Sequence, residues 1–281
     1  MSVKRILAAG GLAVAAGALL AACGGGGGSG GSSNTTSTNA AQNVPNPIVY
    51  CVDTTYPPAE SIVNGKAAGY DIDIANAIAK QLGSTAQIKT TGFTVIIPAL
   101  QQKKCNAIIS SMTITPDRAK QVTFAPYINV GAFLMVKKGN PSNITDLASL
   151  SGKSAAVEAS TTELDGLQAE NKILQKQGKP LITIRSYPAD TSAAAAIQSG
   201  KVDAYFADAP PVLYYVRTTN GKFETAGKQL ETAPEGVATR KGDPLGRQIN
   251  RAIQTLYLNG KIKPILAKWQ ASQFALKNPS R

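Results

Sequence analysis

The chain has no histidine, only three cysteines and few acidic residues for its length of 281. Without histidine it can form neither a Ser-His-Asp triad nor a histidine-ligated metal site, and we expect no cofactor and no metal. There are 29 Lys and Arg against 17 Asp and Glu, a formal net charge of +12. The basic residues are dispersed, and neither a basic-aromatic stripe nor a nucleic-acid motif accompanies them. They therefore indicate solubility and attraction to anionic surfaces rather than nucleic-acid binding.

The first 22 residues have the pattern of a secretory signal peptide. Lys4 and Arg5 precede an apolar run, residues 6–20, that is short for a membrane span. The run closes with Leu-Ala-Ala-Cys at 20–23, which resembles a bacterial lipobox and implies cleavage before Cys23 and lipidation of its thiol. An ordinary signal peptide followed by an incidental cysteine is the alternative.

Residues 23–47 are rich in Gly, Ser, Asn and Thr and have almost no apolar content. Such a segment cannot bury a core, so we expect a flexible tether with a root-mean-square length of roughly 25–30 Å. Its run of glycines is not a phosphate loop, because no Gly-Lys-Ser/Thr follows. A tether behind a lipidated cysteine suits a folded domain that is held just outside a membrane.

From residue 48 onward, short apolar runs alternate with stretches of helical spacing, which is the pattern of an α/β fold. In the first half we predict strands at 48–52, 87–90 and 107–109, and helices from Asp71 to Gly83 and from Phe93 to Lys104. Ligands of an open α/β sheet lie beyond the carboxyl ends of its strands. Four residues fall at or near that edge: Asp53, Tyr56, Phe93 and Ser110.

The stretch 110–118 follows the third predicted strand and turns into a helix with Thr115 as its N-cap. Hydroxyls at Ser110 and Thr113 beside the guanidinium of Arg118 would form a cradle for an anion, since an arginine fork matches a carboxylate bidentately. The alternative is that Arg118 is a solvated helix residue and that the hydroxyls only satisfy a turn. This stretch alone does not decide between the two.

The second half of the chain repeats the first, because residues 196–206 match residues 99–109 as a helix end, a turn and a strand. The second copy runs into Asp208 where the first runs into the cradle. Another strand at 152–158 precedes a helix over 160–175, whose N-terminal amides and dipole favour an anion. We therefore predict two α/β lobes that present strand ends to a shared cleft.

With these motifs in place, the chain resembles the bacterial extracellular solute-binding proteins of family 3, including the lysine/arginine/ornithine- and glutamine-binding proteins of polar amino acid ABC transporters. The resemblance covers residues 48–269 and rests on Asp53–Pro58, Gly69–Ile74, Ile97–Gln101, Ser111–Arg118, Val136–Gly139 and Ala267–Trp269 in combination. It implies a two-lobed, type II periplasmic-binding-protein fold, with an open α/β sheet in each lobe and two crossover segments as the hinge. The crossovers are expected near 129–134 and 229–235. Lobe 1 would then comprise residues 48–131 and 232–281, and lobe 2 residues 132–231.

The resemblance also implies a function and partners. A protein of this family captures an amino acid by hinge closure, works as a monomer, and delivers its cargo to a membrane permease with a cytoplasmic ATPase. Together with Cys23, this implies secretion across the inner membrane and a lipid anchor in the cell envelope, in the periplasm or on the outer face of the cell membrane. A binding protein rather than an enzyme is expected. The alternative of another class is an enzyme similar to cyclohexadienyl dehydratase, with Glu158 as general acid.

Family roles can be transferred to matching positions in this sequence. Arg118 corresponds to the arginine that clamps the ligand α-carboxylate, helped by Thr113 and by the amides near Thr161 and Thr162. This agrees with the anion cradle read from the residues themselves.

The other end of the ligand falls to residues from both lobes. Asp208 corresponds to the acid that pairs with the α-ammonium, with Ser110 nearby. Tyr56 and Phe93 correspond to aromatics that sandwich the ligand stem, and core packing is the alternative for both. A guanidinium and a carboxylate on opposite lobes would meet the two charges of an amino acid only in a closed cleft.

Three acids occupy positions that vary within the family and line its pocket: Asp53, Glu60 and Glu158. They favour a cationic side chain such as that of arginine, lysine or ornithine. A polar neutral amino acid such as glutamine is the alternative, since Asp53 could merely cap its loop and the two glutamates could be solvated. Ala59 departs from the phenylalanine usual in the family, which reshapes the pocket.

Cys51 and Cys105 are the cysteines left beside Cys23, in a compartment that permits disulfides. The family fold makes the first strand a neighbour of the strand at 107–109, so the two thiols could lie within bridging range. Two separate buried thiols are the alternative.

Overall fold

The computed structural model describes residues 44–230 and 232–279, all within one unit that spans Ala41–Arg281. The predicted signal peptide, Cys23 and the tether up to residue 43 lie outside the described residues. The last tether residues belong to the folded unit, since Val44 packs against the core and the Pro45 carbonyl accepts a hydrogen bond of 2.7 Å from Ser84 Oγ. Within the described ranges, none of the helices is long and apolar enough to cross a bilayer.

The first part of the described chain builds most of lobe 1. Its strands are β1 Ile48–Val52, β2 Thr55–Tyr56, β3 Glu60–Val63, β4 Lys66–Ala68, β5 Ala86–Thr90, β6 Ala107–Ile108 and β7 Val122–Val130. Its helices are α1 Tyr70–Gln81, α2 Ile96–Gln101 and α3 Pro116–Gln121, with a 3-10 turn at Phe93–Val95 before α2.

The chain then forms lobe 2 and returns to lobe 1. Lobe 2 contains β8 Ala132–Lys137, β9 Ser154–Glu158, β10 Thr183–Tyr187, β11 Ala204–Asp208 and β12 Phe223–Ala226, with α4 Thr162–Lys176, α5 Asp190–Gln198 and α6 Ala209–Thr218. The returning part contains β13 Ala233–Arg240, α7 Pro244–Leu258 and α8 Ile262–Lys268. Further 3-10 turns lie at Ala148–Leu150 and Ser272–Phe274.

Two five-stranded sheets confirm the two-lobed α/β fold. The sheet of lobe 1 has the order β5-β1-β6-β13-β7, and that of lobe 2 has the order β10-β9-β11-β8-β12. The strands β5, β1 and β6 run parallel, whereas β13 runs antiparallel to β6 and β7 because it returns from the other lobe. A small sheet of β2, β3 and β4 covers the edge of lobe 1 next to the cleft.

The chain crosses between the sheets twice, between β7 and β8 and again between β12 and β13. Gly131 is the residue between β7 and β8, and a Cβ added there would lie 2.5 Å from the carbonyl oxygen of Leu230 on the other crossover. Only glycine lets the two crossover segments pass this closely. The crossovers therefore run side by side, as a two-strand hinge requires.

Each lobe has its own apolar core, because each sheet is buried beneath helices. In lobe 1, β1 is almost fully buried and α1 turns Ile74, Ala75, Ile78 and Ala79 toward it at helical spacing. In lobe 2, β11 is buried along its whole length, so its carboxyl end is held rigidly at the cleft. Rigid strand ends of this kind position the side chains at the cleft between the lobes.

The two cysteines predicted near each other are joined by a disulfide. Cys51 lies in β1 and Cys105 just before β6, and their Cα atoms are 5.7 Å apart. Both are buried against α2, which places the crosslink on the face of the lobe 1 sheet away from α1.

Candidate functional site

A cavity lies between the two lobes, at the carboxyl ends of their parallel strands. Its walls in lobe 1 are Asp53, Tyr56, Glu60, Phe93, Ser110, Ser111, Thr113 and Arg118, and its walls in lobe 2 are Glu158, Thr161, Thr162, Glu163 and Asp208. The structure thus brings together all ten residues predicted from the sequence as ligand contacts. It adds Glu60, which was predicted as a pocket acid, and two residues that were not predicted, Ser111 and Glu163.

Arg118 is aimed into this cavity by the start of α3. Thr115 caps the helix by accepting a hydrogen bond of 3.2 Å from the Arg118 amide, which confirms the predicted N-cap. Arg118 Nη1 donates to the Thr113 carbonyl at 2.9 Å, and Nη2 donates across the cleft to the Ser160 carbonyl at 2.9 Å. The guanidinium also lies 5.4 Å from the centre of the Phe93 ring. Its five N–H groups exceed these two bonds, so the fork can still receive an anion.

The N-terminus of α4 faces Arg118 from lobe 2. Thr161 is the N-cap: its hydroxyl accepts from the Leu164 amide at 3.3 Å and donates to the Glu158 carbonyl at 2.8 Å. The amides of the first turn therefore point out of the helix without intrahelical partners, a position that favours a negative group. Guanidinium and helix terminus together form one electropositive corner of the cavity.

Asp208 forms the opposite corner, at the end of β11. The Tyr56 hydroxyl donates to Asp208 Oδ2 at 2.8 Å, and the Asp208 amide donates back to that hydroxyl at 3.3 Å. Burial raises the pKa of Asp208 well above its usual range, and nearby Glu163 and Glu235 raise it further. The neighbours of this carboxyl are two other acids and the Tyr56 hydroxyl. A cation placed beside it would therefore be stabilised strongly.

Asp53 and Ser110 organise the lobe 1 side of the cavity through a chain of hydrogen bonds. The Asp53 carboxylate accepts from the amides of Thr55 at 3.0 Å and Phe93 at 2.7 Å, and so caps its loop. Ser110 Oγ accepts from the Asp53 amide at 2.9 Å and donates to Glu60 Oε1 at 2.8 Å. The capping alternative for Asp53 is therefore present in the structure, but capping leaves its negative charge at the cavity wall.

Glu158, like Glu60, has one buried carboxyl oxygen without a hydrogen-bond partner among the described residues. It ends β9, is 5% exposed, and its Oε1 has no hydrogen-bond partner among the described residues. Burial, followed by the charges of Asp190 and Asp53, raises the pKa of Glu158 to about 10. The side chain is thus a neutral acid held against the cavity wall, and the solvated alternative does not apply to it.

Further acids lie buried behind the cavity wall. Asp71 Oδ2 accepts from the Ser111 amide at 2.8 Å and holds the cradle in place, with Ser111 at a φ of 37°. Glu60 and Glu235 are also buried, and burial and Asp71 raise the pKa of both. Sequence reasoning missed these supports because Asp71 and Glu235 stand in a helix and a strand, with no local mark of the cleft.

The two cavity residues that were not predicted had weak signals. Ser111 directly follows the predicted Ser110, and Glu163 directly follows the predicted Thr162. In each case the adjacent residue was taken as the ligand contact, because the direction of a side chain at a strand end or in a first helical turn cannot be read from the sequence. The left-handed backbone at Ser111 is what turns both serines of the pair toward the cleft.

The fold and the cavity define a class of protein: a two-lobed binding protein that encloses a small polar molecule between α/β lobes of the type II arrangement. The chain belongs to the bacterial extracellular solute-binding proteins, family 3, whose family model matches residues 48–272. It is 33% identical over 233 residues to the L-arginine-binding protein of Pseudomonas aeruginosa, covering 79% of this chain and 87% of that one.

Two solved structures of an ancestral arginine-binding protein are similar. One is bound to arginine, with a TM-score of 0.73 and 35% identity over 80% of this chain and 98% of that one. The other is bound to glutamine, with a TM-score of 0.73 and 34% identity over 81% of this chain and 99% of that one. The relatives are thus amino acid-binding proteins, and the family is extracellular.

Proposed function

We propose that this protein binds an amino acid with a cationic side chain, such as arginine, lysine or ornithine, and delivers it to an ABC importer. The observation that carries the cationic preference is the buried Glu158 carboxyl, whose Oε1 lacks a partner beside the cavity. A guanidinium or ammonium placed there would donate a charge-assisted hydrogen bond to Oε1, and it would stabilise the ionised acid.

The amino acid core fits the two corners of the cavity. Arg118 and the amides of Thr161 and Thr162 receive the α-carboxylate, with Thr113 beside them. The α-ammonium lies at Asp208, near Ser110.

Tyr56 and Phe93 form the apolar walls between the two corners. Both aromatic rings line the cavity rather than only the core, and the Tyr56 hydroxyl also fixes the Asp208 carboxylate. They would contact the aliphatic stem of the ligand. Asp53 and Glu60 add carboxyl oxygens on the lobe 1 side of the stem.

Closure of the two lobes makes this arrangement selective. Arg118 bonds the Ser160 carbonyl, Tyr56 bonds Asp208, and the Asp190 amide donates to Thr55 Oγ1 at 3.2 Å, each across the cleft. These contacts bring charges of opposite lobes around one small volume and exclude water from it. Electrostatic interactions in such a volume are stronger than in bulk water, so ligand and closure stabilise each other.

Glutamine is the second candidate ligand. Glutamine is favoured because the Asp53 carboxylate already accepts hydrogen bonds from two backbone amides. A neutral Glu158 could also donate to a side-chain amide oxygen. The same protonated Glu158 is what would serve as general acid in a dehydratase-like enzyme, so prephenate belongs in the test.

The attachment of the protein is part of the proposal. A lipidated Cys23 and the segment up to residue 43 would hold a monomer at the membrane that contains the permease. Replacing Cys23 by serine should then move the protein from the membrane fraction to the soluble extracytoplasmic fraction. Retention of the variant in the membrane fraction would contradict a lipid anchor at this residue.

The test of the ligand is a thermal-shift screen of residues 41–281, the unit that contains every described element, against the common L-amino acids, ornithine and prephenate. A ligand at a hundred times its dissociation constant adds about 2.7 kcal/mol of stability, a shift of roughly 5–10 °C for a chain of this size. Arginine, lysine or ornithine should give this shift. Arg118→Ala and Asp208→Asn should abolish it, whereas Arg185→Ala, an exposed arginine on β10, should not.

The outcomes separate the candidates. A shift with glutamine alone would keep the clamp and overturn the cationic preference. Turnover of prephenate would favour the enzyme, and silence across the panel would overturn amino acid binding altogether.

A further inference from the structure

The surface of lobe 1 carries positive charge that its own acids do not balance. In the described part of this lobe, the acids outside the cavity and its buried support are Asp73, Asp117 and Asp243. Each already forms an ion pair, with Lys268, Lys120 and Arg240 respectively. The remaining exposed cations of the lobe therefore have no acidic side chain to neutralise them among the described residues.

Several of these cations lie on one layer of the lobe, formed by α1, α7 and α8, which pack on one another. We name it the basic helix face and define it by its exposed cations: Lys80, Arg247, Arg251, Lys261 and Lys263. None of the five takes part in an ion pair within the described ranges. Arg247 and Arg251 stand one helical turn apart, so both project from the same stripe of α7.

The basic helix face also presents apolar surface. A groove between its helices is lined by Ala77, Leu256 and Ile265, with Lys80 and Lys261 at its edges. Leu258 ends α7 and is 79% exposed, the largest exposure among the large apolar residues of the described chain. Leu258 follows Arg247 and Arg251 on the same stripe of the helix, so an apolar tip continues the row of positive charge.

We propose that the basic helix face binds the surface of an anionic phospholipid membrane, with its cations at the headgroups and Leu258 in the interfacial layer. Charge complementarity identifies the partner, since unpaired cations on packed helices, two of them lining an apolar groove, match lipid phosphates above acyl chains. An extracellular protein that passes its cargo to a membrane importer works beside such a surface. This proposal does not depend on which ligand the cleft binds.

A nucleic acid is a poorer match, because the exposed surface of these helices offers cations and aliphatic groups without an aromatic stacking platform. An acidic protein surface would meet the charges but would not need Leu258 to enter an apolar phase. Leu258→Ser should therefore weaken vesicle binding if the face is built for a membrane, and should leave it unchanged if the face is built for an acidic protein.

The experiment is co-sedimentation of residues 41–281, which lack the lipidation site, with phosphatidylcholine vesicles that do or do not contain phosphatidylglycerol. The test variant combines Arg251→Glu, Lys261→Glu and Lys263→Glu on the basic helix face. The matched control combines Lys172→Glu, Lys176→Glu and Lys179→Glu, three exposed lysines of lobe 2 in the last turns of α4 and just after it. Both variants change the net charge equally, and the arginine thermal shift checks that each still folds and binds.

Wild type should sediment with phosphatidylglycerol vesicles, and not with pure phosphatidylcholine, in a manner that weakens as salt is added. The partition coefficient of the test variant should fall roughly tenfold or more, whereas that of the control should stay within about twofold of wild type. Leu258→Ser should lower the binding that remains at high salt. An equal loss in both triple variants would reduce the effect to net charge and overturn the proposal. Failure of wild type to bind would also overturn the proposal. Binding that Leu258→Ser leaves unchanged would overturn it too, because that result is expected of a face built for an acidic protein.

Discussion

Replacing Glu158 by glutamine isolates the acid on which the ligand preference rests. The substitution keeps the size and an oxygen acceptor, and it removes the ionisable proton. In the folded protein the pKa of Glu158 is raised to about 10, chiefly by burial. An unfolded chain gives the same side chain its ordinary pKa of about 4.3. Between these values the folded state holds a proton that the unfolded state has released.

The sign of the effect follows from this difference. Because the unfolded chain binds fewer protons in that range, the free energy of unfolding falls as pH rises from about 4.3 to about 10. At pH 7 the penalty from this residue is about 3–4 kcal/mol, the distance from pH 7 to its ordinary pKa at about 1.36 kcal/mol per unit. Glutamine carries no such penalty, so the variant should gain on wild type as pH rises.

The measurement is urea denaturation of both proteins, without amino acids, at several values between pH 5 and pH 8. A change in stability that the new amide causes at every pH shifts the whole plot of unfolding free energy against pH. The slope of that plot is therefore the quantity to compare. The stability of Glu158→Gln relative to wild type should increase by up to about 4 kcal/mol over this interval. Glu170→Gln is the control, since Glu170 lies on α4 outside the cavity. Its stability should run parallel to wild type.

The same variant should also change how arginine binds. A guanidinium beside Glu158 favours the ionised carboxyl, so arginine binding to wild type at pH 7 should release a proton, seen as buffer-dependent enthalpy in calorimetry. Glu158→Gln should release less and should bind arginine roughly tenfold to a hundredfold more weakly, because a charge-assisted hydrogen bond contributes about 1.5–3 kcal/mol. Parallel stability curves with unchanged proton release would refute a neutral Glu158 and remove the main support for a cationic ligand.

Four other variants test the frame around the site. Replacing both Cys51 and Cys105 by alanine should lower the free energy of unfolding by about 4 kcal/mol, from a closed loop with a separation of 54 residues, and a urea midpoint unchanged from wild type would count against the crosslink. Gly69→Ala should cost more than about 2 kcal/mol, because its Cβ would lie 1.9 Å from a backbone oxygen, whereas Gly83→Ala should cost about 1 kcal/mol at a positive φ in open space. Tyr56→Phe removes the hydroxyl bonded to the carboxylate that ends β11, and should lower stability by about 1–2 kcal/mol in the same assay.

Much of the site could be predicted because its residues follow local rules. A strand end, an N-cap and a first-turn arginine are all coded within the stretch 110–118, and the structure confirms the cap at Thr115. The strands β1, β5 and β6 of lobe 1 also followed from apolar spacing, as did α1 at Tyr70–Gln81, where a helix from Asp71 to Gly83 was expected.

Other elements could not be predicted, because tertiary contacts decide them. The strand β7 contains Pro126 and pairs across a bulge beside Glu235, so its sequence lacks a clean alternation. The small sheet of β2 to β4 has a two-residue first strand that no periodicity can mark. A helix was predicted from Phe93, but a 3-10 turn over Phe93–Val95 comes first, and the distant Asp53 carboxylate accepts from the Phe93 amide at its start.

The chain carries a net charge of +12, yet acidic side chains outnumber basic ones in the lining of the cleft, and the fold explains both facts. Most acids of lobe 1 turn inward: Asp53, Glu60, Asp71 and Glu235 are buried at or behind the cavity, while the cations stay outside. Composition alone therefore describes the outer surface, where it predicts anionic partners, and says nothing of the ligand. Within the cavity one guanidinium faces several carboxyls, so a ligand that adds a single carboxylate and two cationic groups is the better electrostatic complement.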